Sequence, residues 1–341
     1  MQYRTIPATG VQLSEVCYGS MRFMPVDATD EDRRAAYRSF DAALERGVNV
    51  AHSSYQYVTR PAFSEMLSTH PKRSEIHHIA KIMTPEYEEP AFDPKEFRRQ
   101  VEDALEALHT DHIAVIQHLQ RGPNTPKEHT YSEPGDAGRI AALHESMDDL
   151  LEVTQQLKDE GKIGMVASFP HTVGYAKAAL ETDAFQGMVH FFNPLETEMV
   201  ELFDEFERRG MTFMAIRPIL QGMLTDKRAN RDRLPEDDEK RQANWDAWYA
   251  LLDRVREVIG GEPASWTELA VKFSLAPKVM TSIVIGMNTE EQVNATLDAA
   301  DGNYPDEALV REVDRVSAEF GRIPKETIFG SAPTKSRSRS A

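Results

Sequence analysis

The chain contains one cysteine, Cys17, in 341 residues. That excludes an intrachain disulfide and any metal site built on clustered thiolates, and the apolar run around Cys17 suits a buried structural thiol. It also lacks a hydrophobic run near the roughly 18 residues a membrane span requires. Its opening, Met-Gln-Tyr-Arg-Thr-Ile-Pro, lacks the apolar stretch of a secretory signal. A soluble, cytoplasmic protein without a membrane partner is expected. Positive charge is scarce too: 39 Lys and Arg stand against 56 Asp and Glu, a net charge of −17. Nucleic-acid binding needs a basic face, so it is not expected either.

A hydrophobic fraction of 40% is enough for a sizeable core. The first 15 residues predict a β-hairpin turning at Ala8-Thr9-Gly10. Eight short apolar runs then alternate with amphipathic segments: 15–19, 48–53, 76–81, 113–119, 164–168, 187–192, 212–217 and 282–286. Between or after them, helical periodicity marks 30–46 behind an N-cap at Thr29, then 97–108, 141–159, 199–209, 264–275 and 306–320. Eight βα repeats predict an α/β protein, a (β/α)8 TIM barrel with an N-terminal hairpin and extra C-terminal helices. An open doubly wound sheet is the alternative. One barrel domain over 1–330 and a disordered basic tail over 331–341 follow from this pattern. Two polar insertions, 120–138 and 221–242, follow strand ends and are expected to cover a substrate on the C-terminal face.

Barrels carry their chemistry at the C-terminal ends of strands, where this chain has His52, Lys81, Gln117, His118, Ser168, His190, Asn193 and Arg217. Lys81 closes an apolar strand, a position that a lysine occupies only with a partner or a depressed pKa. Tyr57 lies five residues beyond His52. No carboxylate or paired-histidine spacing accompanies His52, His118 or His190, so no metal site is expected.

Together these segments resemble the aldo-keto reductase family over nearly the whole chain. The resemblance rests on Tyr3 to Gly10 followed by Ser14 to Met21, on Ala43 to Asn49 with Ser64-Glu65, and on Gly161 to Gly164. Pro218 to Leu224 and Gly286 to Gln292 are similar to the family's two cofactor segments. The resemblance implies NADP as cofactor, NAD being possible, and a small-molecule carbonyl substrate. It also implies a tetrad of Asp, Tyr, Lys and His in which tyrosine protonates the developing alkoxide and lysine lowers its pKa. Tyr57 and Lys81 match. His52 stands where the family has Asp, and strict register puts Leu119 where it has His, with His118 one residue early.

Implied cofactor residues are Ser168, Asn193, Arg217, Gln221, Gly286, Asn288, Thr289 and Gln292. Phe169 replaces the asparagine that grips the carboxamide, Ile216 the stacking aromatic, and Asn288 the arginine for a 2′-phosphate. Two readings follow: a carbonyl reductase with Tyr57 as acid, Lys81 tuning it, and His52 and His118 as substitutes, or an impaired barrel that binds ligands or regulates. A different acid–base reaction through His52 and His118 is a third.

Overall fold

The computed structural model describes residues 1–24, 27–87, 89, 91–121, 131 and 133–329. The tail from 330, and residues 122–130 and 132 of the 120–138 insertion, lie outside them. The described residues form ten strands: β1 Tyr3–Thr5, β2 Gln12–Ser14, β3 Val16–Gly19, β4 Val50–Ser54, β5 His77–Met83, β6 Ile113–Leu119, β7 Ile163–Ser168, β8 Gly187–Phe191, β9 Thr212–Ile216 and β10 Met280–Ile285. β1 and β2 form the hairpin, and β3 to β10 close a parallel barrel in chain order, β10 pairing with β3. The closed barrel, not the open sheet, is the fold. Closure at β6–β7 needs glycine, because a Cβ on Gly164 would come within 2.6 Å of the Ala114 carbonyl oxygen.

Helices ring the barrel: α1 Asp30–Glu45, α2 Arg60–Thr69, α3 Pro94–Leu108, α4 Asp136–Glu145, α5 Met147–Asp159, α6 Val173–Glu181, α7 Phe203–Arg209, α8 Asp246–Val258, α9 Trp266–Leu275 and α10 Glu290–Ala299. α11 Glu307–Phe320 and the short α12 Glu326–Phe329 follow the repeat. Thr29 caps α1 through a reciprocal bond with Asp32. The helix expected over 141–159 is two helices, because the Ser146 hydroxyl donates to the Leu143 carbonyl at the break. Most of the helix expected over 199–209 is present, but its first turn, Glu198–Leu202, is wound as 3-10.

Period-two alternation sorts the strand residues. Cys17, Val50, Ile79, Val115, Met165, Val189 and Met214 point into the barrel and pack with Ile6 and Leu13 of the hairpin, which plugs the N-terminal end. Arg4 fixes this plug by donating to the carbonyls of Leu275, Pro277 and Met280 and pairing with Glu15 at 2.6 Å. Their neighbours, such as Tyr18, Ala51, Ile116 and Phe213, face the helices. The 221–242 segment is folded against α8: the Tyr249 hydroxyl donates to the Arg228 carbonyl at 2.8 Å, and Trp245 and Trp248 are core residues.

Candidate active site

At the C-terminal mouth the inward positions are His52 and Ser54 on β4, Lys81 and Met83 on β5, Gln117 and Leu119 on β6, Phe169 just past β7, Phe191 on β8 and Ile216 on β9. His52 is buried and bonded through Nε2 to Gln117 Oε1 at 2.6 Å. With the amide oxygen facing the ring, Nε2 carries the proton and Nδ1 accepts from the Tyr57 hydroxyl at 3.4 Å. Burial, reinforced by Lys81, holds His52 down to about 4, so it is neutral at pH 7. Burial pushes the Tyr57 phenol above its ordinary value. Tyr57 is therefore a protonated donor in the resting protein.

The Lys81 ammonium lies over the face of the Tyr57 ring, 5.5 Å from its centroid. Desolvation first, and then Arg121, lower Lys81 to about 7, while Glu86 opposes the fall. Glu86 itself accepts a hydrogen bond from Tyr55. Arg121 lies two residues beyond β6. Its backbone N–H donates to the Pro85 carbonyl, its Nη1 to His171 Nδ1 at 2.9 Å, and its guanidinium stacks on Tyr87 and Tyr131. A guanidinium only donates, so the neutral His171 carries its proton on Nε2.

On the opposite side, Arg217 pairs with Glu196 and its guanidinium lies 4.3 Å from the centre of the Phe191 ring. Lys325, just ahead of α12, pairs with Glu198. His171 and Arg217 both hold left-handed backbone, at φ 63° each, three residues after β7 and directly after β9. Strained non-glycine residues at such points are retained where the surroundings over-determine them, and they cluster at functional sites.

Two of the expected site residues face elsewhere. His118 turns outward: Nε2 donates to the Thr84 carbonyl at 2.8 Å and the ring packs among Phe92, Phe97 and Phe185. Ser168 pairs in register with His118 and shares that outer face, so Phe169 occupies the mouth instead. Asn193 is buried, but its amide is consumed by Glu196, the Arg217 carbonyl and the Leu195 N–H. Gln221 sits in a left-handed turn after Leu220. Sequence reasoning named Gln117 among the strand-end residues without giving it a role, and missed Arg121; the signal was the alternation 117, 119, 121. At α10, Thr289 caps the Gln292 N–H and Gln292 Oε1 accepts from the Asn288 N–H at 2.7 Å. The first turn of α10 is exposed, and both of its leading side chains, Glu290 and Glu291, are acidic.

A parallel barrel with this hairpin plug and with tyrosine and lysine at the ends of β4 and β5 belongs to a class of nicotinamide-dependent oxidoreductases. The chain is a member of the aldo/keto reductase family, whose model matches residues 15–317. It is 24% identical to the "Uncharacterized oxidoreductase YrpG" of Bacillus subtilis, over 95% of this chain and 99% of that one. L-galactose dehydrogenase of Arabidopsis thaliana is 20% identical, over 88% of each chain. Among solved structures, the holo form of aldo-keto reductase AKR11C1 from Bacillus halodurans superposes with a TM-score of 0.68 at 20% identity, covering 93% of this chain and 96% of its own. Glycerol dehydrogenase AKR11B4 from Gluconobacter oxydans gives 0.67 at 20% identity, covering 99% of both. These two likenesses concern the fold.

Proposed function

We propose that the protein is an NAD(P)H-dependent reductase of a carbonyl compound whose proton donor is Tyr57, held by His52 and Gln117 instead of by a lysine–aspartate pair. The observation that carries this is the convergence of Tyr57, His52, Lys81 and Gln117 on one inward-facing patch at the mouth. A bound nicotinamide would supply the hydride. Tyr57 donates its proton to the developing alkoxide, and Lys81, when protonated, stabilises the negative charge left on oxygen. Because Lys81 lies over the ring and not at the hydroxyl, the phenol stays weakly acidic, and slow turnover is expected.

The residues at α10 suit a dinucleotide phosphate at the helix N-terminus, but Asn288 and the acidic first turn give a 2′-phosphate no cation; Arg38 is tied to Glu290 at 3.0 Å. NADPH therefore holds no advantage over NADH. A second reading, a barrel that binds a ligand without reducing it, is favoured by the packing of Met83, Leu119, Phe169 and Phe191 across the mouth. Titration with NADH and with NADPH by fluorescence, followed by turnover of aldehydes and ketones beside Tyr57→Phe, separates the two. Binding with turnover that drops about 10²-fold or more in Tyr57→Phe supports the reductase. Failure to bind either nucleotide leaves the second reading.

A further inference from the structure

Lysines in this protein are partnered where they leave the surface. Among the described residues, Lys162, Lys240, Lys272 and Lys325 are partly or wholly buried, and each holds a carboxylate, of Glu102, Glu239, Asp301 and Glu198 respectively. Lys158 donates to the Gln186 amide oxygen at 3.0 Å. Lys81 is half-buried as well, yet its nitrogen has no hydrogen-bond acceptor or carboxylate within bonding distance among the described residues. The reason lies in the register. Lys81 is level with Ser54 on β4 and Gln117 on β6, and the inward residue before Ser54 is the neutral His52. The next inward positions, Met83 on the same strand and Leu119 paired with it on β6, are apolar. What the nitrogen does meet is the face of the Tyr57 ring, 5.5 Å from its centroid. Burial brings Lys81 down to about 7, so about half of it is free amine at neutral pH.

We propose that Lys81 is a nucleophile that condenses with an uncharged aldehyde to form an imine, an activity separate from hydride transfer and in need of no nicotinamide. An amine attacks a carbonyl only with its lone pair free, and a paired carboxylate would keep it protonated; an unpaired lysine in an apolar surround at the end of a barrel strand is the arrangement that such chemistry requires. The apolar positions at Met83 and Leu119 suit an aldehyde with a hydrocarbon or aromatic body. In the step itself the nitrogen lone pair forms a C–N bond as the carbonyl π bond breaks. The oxygen takes a proton from Tyr57, and the nitrogen returns one to Tyr57. The hydroxyl is then expelled with a second proton passed from nitrogen by the same route, and C=N forms. Both nitrogen hydrogens and the carbonyl oxygen leave as one water, so nothing is oxidised or reduced. The ammonium serves the reductive chemistry and the free amine serves this one.

Trapping with benzaldehyde and cyanoborohydride at pH 7, on the full chain and without nucleotide, tests the proposal when followed by peptide mass mapping. Cyanoborohydride reduces the imine to a stable benzylamine, so the lysine that formed it is read directly. An exposed lysine with a pKa near 10.4 is less than about 0.1% free amine at pH 7, so Lys81 is expected to take the label about tenfold or more faster than the exposed Lys95 and Lys278. His52→Asp gives the amine a carboxylate and should slow labelling of Lys81 several-fold, with Lys95 and Lys278 unaffected. Tyr57→Phe removes the proton shuttle and should slow Lys81 alone. The comparison of lysines within the wild-type chain stands whether or not either variant folds. The proposal is overturned if Lys81 is labelled no faster than the exposed lysines, if it takes no label, or if its rate is unchanged in both variants. Failure of the reductase reading looks different: Lys81 is labelled while neither NADH nor NADPH is consumed.

Discussion

On the β8–β9 side of the mouth each buried charge meets its opposite, and even the Asn193 amide is fully bonded; on the β4–β6 side the Lys81 ammonium lies over the Tyr57 ring beside the neutral His52–Gln117 pair. The first arrangement is complete without a ligand and fixes the loops after β8 and β9. In the second, burial disfavours the Lys81 charge and brings its pKa down to about 7. The same barrel end thus holds a structural half and a half that carries the proposed chemistry.

The largest effect comes from breaking the structural half. Glu196 is almost wholly buried and serves both Arg217 and Asn193. Glu196→Ala leaves a buried guanidinium without its counter-charge and is expected to cost about 3–5 kcal/mol, read from urea unfolding. Lys81→Met on the other half should do the reverse: removing a desolvated cation leaves stability unchanged or raised. Comparable losses in both variants would erase the distinction between the halves.

Next in size is His52→Asp, which gives Lys81 a carboxylate. An opposite charge nearby raises a lysine pKa by roughly 1–3 units, so Lys81 should react more slowly with amine reagents at neutral pH. An unchanged labelling rate would mean that the new carboxylate and the ammonium do not pair.

A smaller effect is expected from pH alone. Lys81 titrates near 7, with Arg121, Glu86, His52 and Tyr57 as its charged or titratable neighbours; His52, at about 4, does not change state above pH 6. As pH rises through 7 the ammonium is lost, and with it the charge proposed to stabilise the alkoxide, so turnover should fall several-fold between pH 6 and 9. Folding stability moves oppositely. A lysine depressed in the folded state penalises folding fully below about pH 7, and that penalty fades as pH climbs towards the unfolded value near 10.4. The Lys81→Met protein should show neither dependence.

Much of the fold was legible because the eight apolar runs, their spacing and the caps at Thr29 and Thr289 all pointed to the same repeat. The site was less so. Tyr57 and Lys81 were readable as residues at strand ends, but Arg121 belongs to a polar insertion, and only the inward parity of Gln117 and Leu119 carries the reading on to it. Ser168 and Asn193 show the opposite failure. A residue type that suits a cofactor was present in each case, yet the facing of one and the bonding of the other depend on register and on partners distant in sequence, Glu196 and Arg217 among them.

His118 offers the smallest and most selective change. It is adjacent to Gln117 on β6, and one residue of alternation separates the site from the helix layer. Burial holds its ring down to about 4, so it is neutral at pH 7, and its one bond goes to the Thr84 carbonyl. His118→Phe preserves the packing against Phe97 and Phe185 and removes that bond, for an expected loss of about 1 kcal/mol in urea unfolding. Nucleotide binding and turnover should both stay at wild-type values. If turnover fell along with stability, the outer face of β6 would be coupled to the mouth, and the division of the barrel end into two independent halves would have to include the layer behind it.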